Sequence, residues 1–153
     1  MAPTVIFYDL ETTGANRSNQ HRDVQIVSIG AVNCKTDEEY HEYMVPTCDI
    51  DPQASEVNGI VKSEGELFLK GVKIQAGQPK EVLQRFMDWL ERQNYDYLVA
   101  HGNRYFDSVV LRKNLARFGV DGRVRVSRNK DSWDFMKDLR NSKQFYFQGY
   151  FLY

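Results

Sequence analysis

The chain has 153 residues, 42% apolar and 27% charged, with a formal net charge of −1. That balance fits one globular domain with its own core and excludes wholesale disorder, a collagen repeat or a coiled coil. No apolar run approaches the ~20 residues of a membrane span. Met1-Ala2-Pro3-Thr4 leads straight into a strand-like run with neither a basic n-region nor an apolar h-region. With only two cysteines, Cys34 and Cys48, the expectation is an intracellular protein of nucleus or cytoplasm that keeps reduced thiols and avoids the membrane.

Thr4 to Leu10 is rich in β-branched and aromatic residues and stops at Thr12-Thr13-Gly14, the pattern of a buried strand ended by a turn. Asp23 to Cys34 supplies a second strand through Val24, Ile26, Val27, Ile29, Ala31 and Val32, and the more polar Glu38 to Thr47 an edge-like third. Short connections make these an antiparallel meander. Asp49 to Gln78 has no sustained period and is expected to be an irregular connection with one short helix. From Pro79, the residues Val82, Leu83, Phe86, Met87, Trp89 and Leu90 recur at helical spacing behind a proline suited to a first helical position. Tyr97 to Ala100 is a short buried strand. Arg104 to Phe118 is a second helix stopped by Gly119, Val120 to Val126 a fifth strand, and Ser132 to Asn141 a last helix. The sum is an α/β domain with a mixed five-stranded sheet flanked by helices. Trp89 and Trp133 lie in helical apolar patterns and are expected in the core.

Between Arg104 and Lys130 stand eight basic residues against Asp107 and Asp121. Such a basic segment attracts phosphate backbones, although a solvated helix face gives the same pattern. Asp9-Leu10-Glu11 is sharper. Side chains two apart on a strand share a face, so both carboxylates leave the end of a buried strand together and raise each other's pKa unless cations intervene. Oxygen-rich sites of this kind suit Mg²⁺ or Mn²⁺; two solvated acids at a strand end are the alternative. Asp107 falls in the first turn of its helix, where the helix dipole favours a carboxylate. Leu111 and Leu115 follow at i+4 and i+8, which turns Asp107 toward the sheet. With Leu98-Val99-Ala100 beside the first strand, Asp107 is aimed at Asp9 and Glu11. Three convergent carboxylates and a basic segment point to two-metal phosphodiester chemistry.

Phe7-Tyr8-Asp9-Leu10-Glu11-Thr12-Thr13-Gly14 resembles the first motif of the DnaQ-like, or DEDD, 3′–5′ exonucleases. Val99-Ala100-His101-Gly102-Asn103-Arg104-Tyr105-Phe106-Asp107 resembles the second, departing from its usual His-Asn order by Gly102 and Asn103. Asp23 to Val32 is similar to the second strand of that superfamily. Ile50-Asp51-Pro52-Gln53-Ala54 with Asn58-Gly59-Ile60 is similar to the segment beside the primer end. The animal three-prime repair exonucleases and the exonuclease-like domain of a PML isoform look nearest. The resemblance implies an RNase H-like sheet, two Mg²⁺ or Mn²⁺ ions with the second weakly held, and hydrolysis at single-stranded 3′ ends of DNA or RNA. It implies Asp9, Glu11 and Asp107 as catalytic metal ligands, and Leu10, Thr12 and Thr13 lining the terminal base and sugar. His101, Asn103 and Arg104 would be further substrate contacts, Arg104 to a phosphate; a His101 satisfied by backbone at its strand end is the other reading.

The family's third motif, a His or Tyr base four residues before a fourth metal-binding Asp, has no match. The histidines are His21, His41 and His101, and Asp138 is the last carboxylate. The expectation is a single exonuclease-like domain over 1–153, cut short before that motif, with its last helix absent or altered and its catalysis weakened. A general base typically contributes about 10²–10⁴-fold. An inactive nucleic-acid-binding or protein-interaction module is the alternative. Six aromatics in the last nine residues, from Phe145 to Tyr153, either pack on the domain's own core or form a surface for a partner or second copy.

Overall fold

The computed structural model describes residues 2–15, 23–100 and 106–125. Strand β1 (Val5–Thr12) pairs antiparallel with β2 (Ile26–Asn33), and β2 with β3 (Glu39–Tyr43). This is the expected meander. Helix α1 (Pro52–Asn58) follows, then three short strands β4 (Ile60–Ser63), β5 (Glu66–Leu69) and β6 (Val72–Ile74), and helix α2 (Pro79–Gln93). Strand β7 (Tyr97–Val99) returns to β1 in parallel, with Val5, Ile6 and Phe7 opposite Tyr97, Leu98 and Val99. Helix α3 (Asp107–Arg117) ends the described succession. The main sheet therefore has the order β3-β2-β1-β7, mixed in direction as the sequence suggested.

Two expectations change. The stretch 49–78 is not an irregular connection with one helix: β4, β5 and β6 form a separate antiparallel sheet. The fifth strand is not formed over 120–125, although the Arg125 carbonyl accepts a hydrogen bond from Leu98 N–H at 2.7 Å and so brings this segment to β7. The helix expected at 132–141, Trp133 and the aromatic stretch 145–153 lie outside the described residues. Among the described residues no helix is long and apolar enough to cross a membrane.

The alternation of β1 organises the layers. Ile6, Tyr8 and Leu10 face α2 and α3, where they join Ile29 and Ala31 of β2 with Val82, Phe86, Leu90, Leu111 and Leu115 in the principal core. Val5 and Phe7 point to the other face with Val32 and Val99. A third cluster packs Ile60 and Leu67 of the small sheet against Val27. Trp89 is buried in the principal core with its indole N–H on Glu38, as expected.

Helix α3 stops where Gly119 predicts. Val120 N–H reaches back to the Leu115 carbonyl and Gly119 N–H to the Ala116 carbonyl, with Gly119 at φ 65°. This is the paired closure of a Schellman motif, which needs a left-handed residue. On the surface of α2, Arg85 binds the Glu42 carboxylate through Nε at 2.8 Å and Nη2 at 2.7 Å. Those bonds hold the Glu42 carboxyl below its ordinary range. The pair is largely exposed, so Arg85→Ala is expected to change stability by at most about 1 kcal/mol. Thermal melts at pH 7 check this. The difference should vanish in acid, because a depressed folded pKa contributes stability only above that value.

Candidate active site

Asp9 and Glu11 continue the Val5 and Phe7 row of β1 and emerge on the sheet face opposite α2 and α3. Asp9 is opposite Gly30 in β2, which is opposite His41 in β3; Glu11 is opposite Ser28, which is opposite Tyr43. The two rows form a polar strip beyond the apolar one. Within it Ser28 Oγ and His41 Nε2 are 3.0 Å apart, and burial lowers the pKa of His41. The register of β1 against β2 shifts between Glu11 and Thr12, and a bulge of this kind re-aims side chains at a strand end.

Asp107 opens α3 and is only 6% exposed. Asn114, fully buried on the same helix, ties α3 to the start of β2. Its Nδ2 donates to the Val24 carbonyl at 2.9 Å and its Oδ1 accepts from Ile26 N–H at 3.1 Å. Asp107 is thereby held over the end of β1.

The electrostatics record the convergence. Burial, then the charges of Glu11 and Asp107, push the Asp9 carboxyl up to about 7. Burial raises Glu11 as well, with a hydrogen bond from Asn58 opposing and Asp107 adding to the rise. No Lys or Arg of the described residues offsets these shifts. Beneath the site the Tyr8 phenol is held neutral, first by burial and then by Asp107, with Arg112 opposing.

The α1 segment closes the other side. Asp51 caps α1 by accepting from Gln53 N–H at 2.9 Å, and its own N–H donates to the Thr13 carbonyl at 2.8 Å. A Cβ on Gly14 would meet the Asp51 Cβ at 3.3 Å, so a glycine lets this turn and the α1 cap approach. Thr12 and Thr13 are buried: the Thr12 hydroxyl donates to the Gly14 carbonyl at 2.9 Å, and that of Thr13 accepts from Gln25 N–H at 3.0 Å. Leu10 faces the principal core. The two threonine hydroxyls thus bond within the turn. His101, Asn103 and Arg104 lie outside the described residues. Among the described residues, no three His, Cys, Asp or Glu side chains are grouped as ligands of one ion.

The family model for RNase_T exonucleases matches residues 6–149, and the chain belongs to that family. It is a member of the DnaQ-like 3′–5′ exonuclease superfamily with an RNase H-like fold. Among solved structures, exonuclease I in complex with the inhibitor BCBP is 17% identical, with TM-score 0.61 over 79% of this chain and 25% of that one. E. coli exonuclease I in complex with a 5cy-dT13 oligonucleotide is 20% identical, with TM-score 0.61 and the same coverage. The nuclease domain of 3′hExo, a DEDDh family member bound to rAMP, is 15% identical, with TM-score 0.55 over 78% of this chain and 61% of that one. The chain thus spans about a quarter of exonuclease I. No curated protein matches it.

Proposed function

We propose that this chain is a divalent-metal-dependent exonuclease domain that hydrolyses phosphodiester bonds at single-stranded 3′ ends. The observation that carries the reading is the convergence of Asp9, Glu11 and Asp107: the charges of Glu11 and Asp107 raise the Asp9 carboxyl, and that of Asp107 raises Glu11. Such a cluster is unfavourable unless cations join it. The donor set is all oxygen, which suits Mg²⁺ or Mn²⁺. Mg²⁺ commonly takes one or two protein carboxylates, with water and substrate phosphates completing its shell. The site therefore fits without three side chains around one ion.

In this reading Asp9 and Glu11 hold one ion and Asp107 the second. Bound ions supply charge stabilisation at the phosphoryl oxygens and a more acidic water. Asp107 is fixed by α3 and Asn114, Glu11 by the strand end, so the carboxylates are set before substrate arrives. No histidine follows Asp107 in this chain, so turnover is expected to fall short of a relative with a third-motif base by about 10²–10⁴-fold.

A 5′-labelled single strand incubated with Mn²⁺ should shorten stepwise from its 3′ end, and EDTA or Asp107→Asn should stop it. Retained but undegraded strand, with binding that weakens steeply in salt, would replace this reading with an inactive nucleic-acid-binding module. Neither shortening nor retention, with sedimentation that depends on concentration, would point to protein association.

A further inference from the structure

We infer that the outer face of α3, with the segment 120–125 that follows it, is the track for the phosphate backbone of a single strand whose 3′ end lies at the carboxylates. This rests on the nuclease reading above and adds to it the surface that holds the strand outside the site.

The charge on this face is one-sided. Five of the eight basic residues between Arg104 and Lys130 are described, namely Arg112, Lys113, Arg117, Arg123 and Arg125, and all but the half-buried Lys113 are exposed. From Asp107 to Arg125 the acids are Asp107, buried at the site, and Asp121. Helix α2 packs on the same face of the main sheet and makes the contrast. There exposed Lys80, Arg85 and Arg92 are interspersed with exposed Glu81, Asp88 and Glu91, and Arg85 is bound to Glu42. A helix face that only meets solvent mixes both signs, as α2 does, whereas a single-sign field gathers phosphates.

The fold gives the track a direction. Val110, Leu111, Asn114 and Leu115 are buried, which leaves Arg112, Lys113 and Arg117 on the outward half of the helix. At 1.5 Å per residue they lie about 8 to 15 Å along the axis from Asp107, so the row starts beside the site and leads away from it. The closure at Gly119 then turns the chain, and Arg125 is fixed at the edge of β7. Its carbonyl accepts from Leu98 N–H at 2.7 Å, its N–H donates to the Tyr95 hydroxyl at 3.3 Å, and its guanidinium lies over the Tyr95 ring, 4.8 Å from the centroid. A guanidinium laid over a ring uses its face and presents its N–H edge to phosphate oxygens. The basic surface therefore continues from α3 to the sheet edge.

The test uses a 5′-labelled oligothymidylate, its binding followed by fluorescence anisotropy in EDTA over a range of salt and its shortening followed with Mn²⁺. Arg112→Gln/Arg117→Gln should flatten the slope of log affinity against log salt by about 1.4, at ~0.7 for each single-strand phosphate contact. KM for the strand should rise several-fold at unchanged kcat. The melting temperature should stay at the parent value, and so should hydrolysis of a nitrophenyl ester of thymidine monophosphate, which is too short to leave the carboxylates. Lys80→Gln/Arg92→Gln removes the same charge from α2 and should change neither slope nor KM. A slope and KM unmoved by the α3 pair overturn the proposal and leave the nuclease reading intact. An equal loss from the α2 pair overturns it too, since net charge alone would then act, and so does a loss seen only with duplex of the same length. A parent protein that neither binds nor shortens the strand overturns both readings together.

Discussion

Asp9→Asn should abolish strand shortening and at the same time make the metal-free protein harder to unfold at pH 8. The two effects have one cause. Asp9 is held up to about 7 by burial and by Glu11 and Asp107, against about 4 in an unfolded chain. As pH rises from 4 to 7 the unfolded chain has released this proton and the folded one retains it, so the unfolded state binds fewer protons and stability falls. Above 7 the loss levels off. Asparagine has no charge to bury, so the variant should lack this slope, match the parent near pH 4 and exceed it by roughly 4 kcal/mol at pH 8. Added Mn²⁺ should reverse the ranking, because a ligand that binds only the folded state stabilises it. It should raise the melting temperature of the parent and leave the variant nearly unmoved. Activity should drop by more than the 10–100-fold that outer contacts contribute. Melts at pH 4 and pH 8, with and without Mn²⁺, test the prediction; a variant no more stable than the parent at pH 8 would refute the repulsion argument.

The ends of the main elements were readable because each carries a local signal. Pro79 and Gly119 mark the start of α2 and the end of α3, and the period-two run of Val5 to Glu11 gave both the burial of β1 and the shared face of its carboxylates. The small sheet was hidden for a physical reason. Its strands have only three or four residues, too few to show alternation. Its two-residue hairpin turns are Glu64-Gly65 and Lys70-Gly71, with positive φ at all four positions. That is the geometry of a turn usually announced by Asn-Gly or Asp-Gly; glutamate and lysine at the first position leave only the glycine as a cue. Lys73 bonded to Glu66 across two of these strands is likewise visible only once they are paired.

The carboxylates were legible as residue types at telling spacings, whereas their supports were not. Asn114 acts on a backbone group 90 residues away, and nothing local distinguishes such an asparagine from one on the surface. Thr12 and Thr13 were legible by motif position, whereas the bonds of their hydroxyls to the Gly14 carbonyl and the Gln25 N–H appear only in the fold.

Asn114→Leu is expected to produce the largest loss of stability. The replacement is similar in size and apolar, so little packing is removed, yet Ile26 N–H and the Val24 carbonyl lose the partners they have across the helix interface. Asn114 is 0% exposed, which keeps solvent from taking its place. Each buried backbone group left unsatisfied costs roughly 1–3 kcal/mol, so the pair should cost about 2–6 kcal/mol, a fall of roughly 10 °C in a domain of this size. The consequence reaches the site. Asp107 lies two turns before Asn114 on α3, so a helix released from β2 no longer fixes that carboxylate over the end of β1. Mn²⁺ should therefore rescue the melting temperature less in this variant than in the parent. Arg85→Ala, far from α3, should show the full Mn²⁺ shift. A melting temperature within about 2 °C of the parent would mean that α3 is held by its apolar face alone.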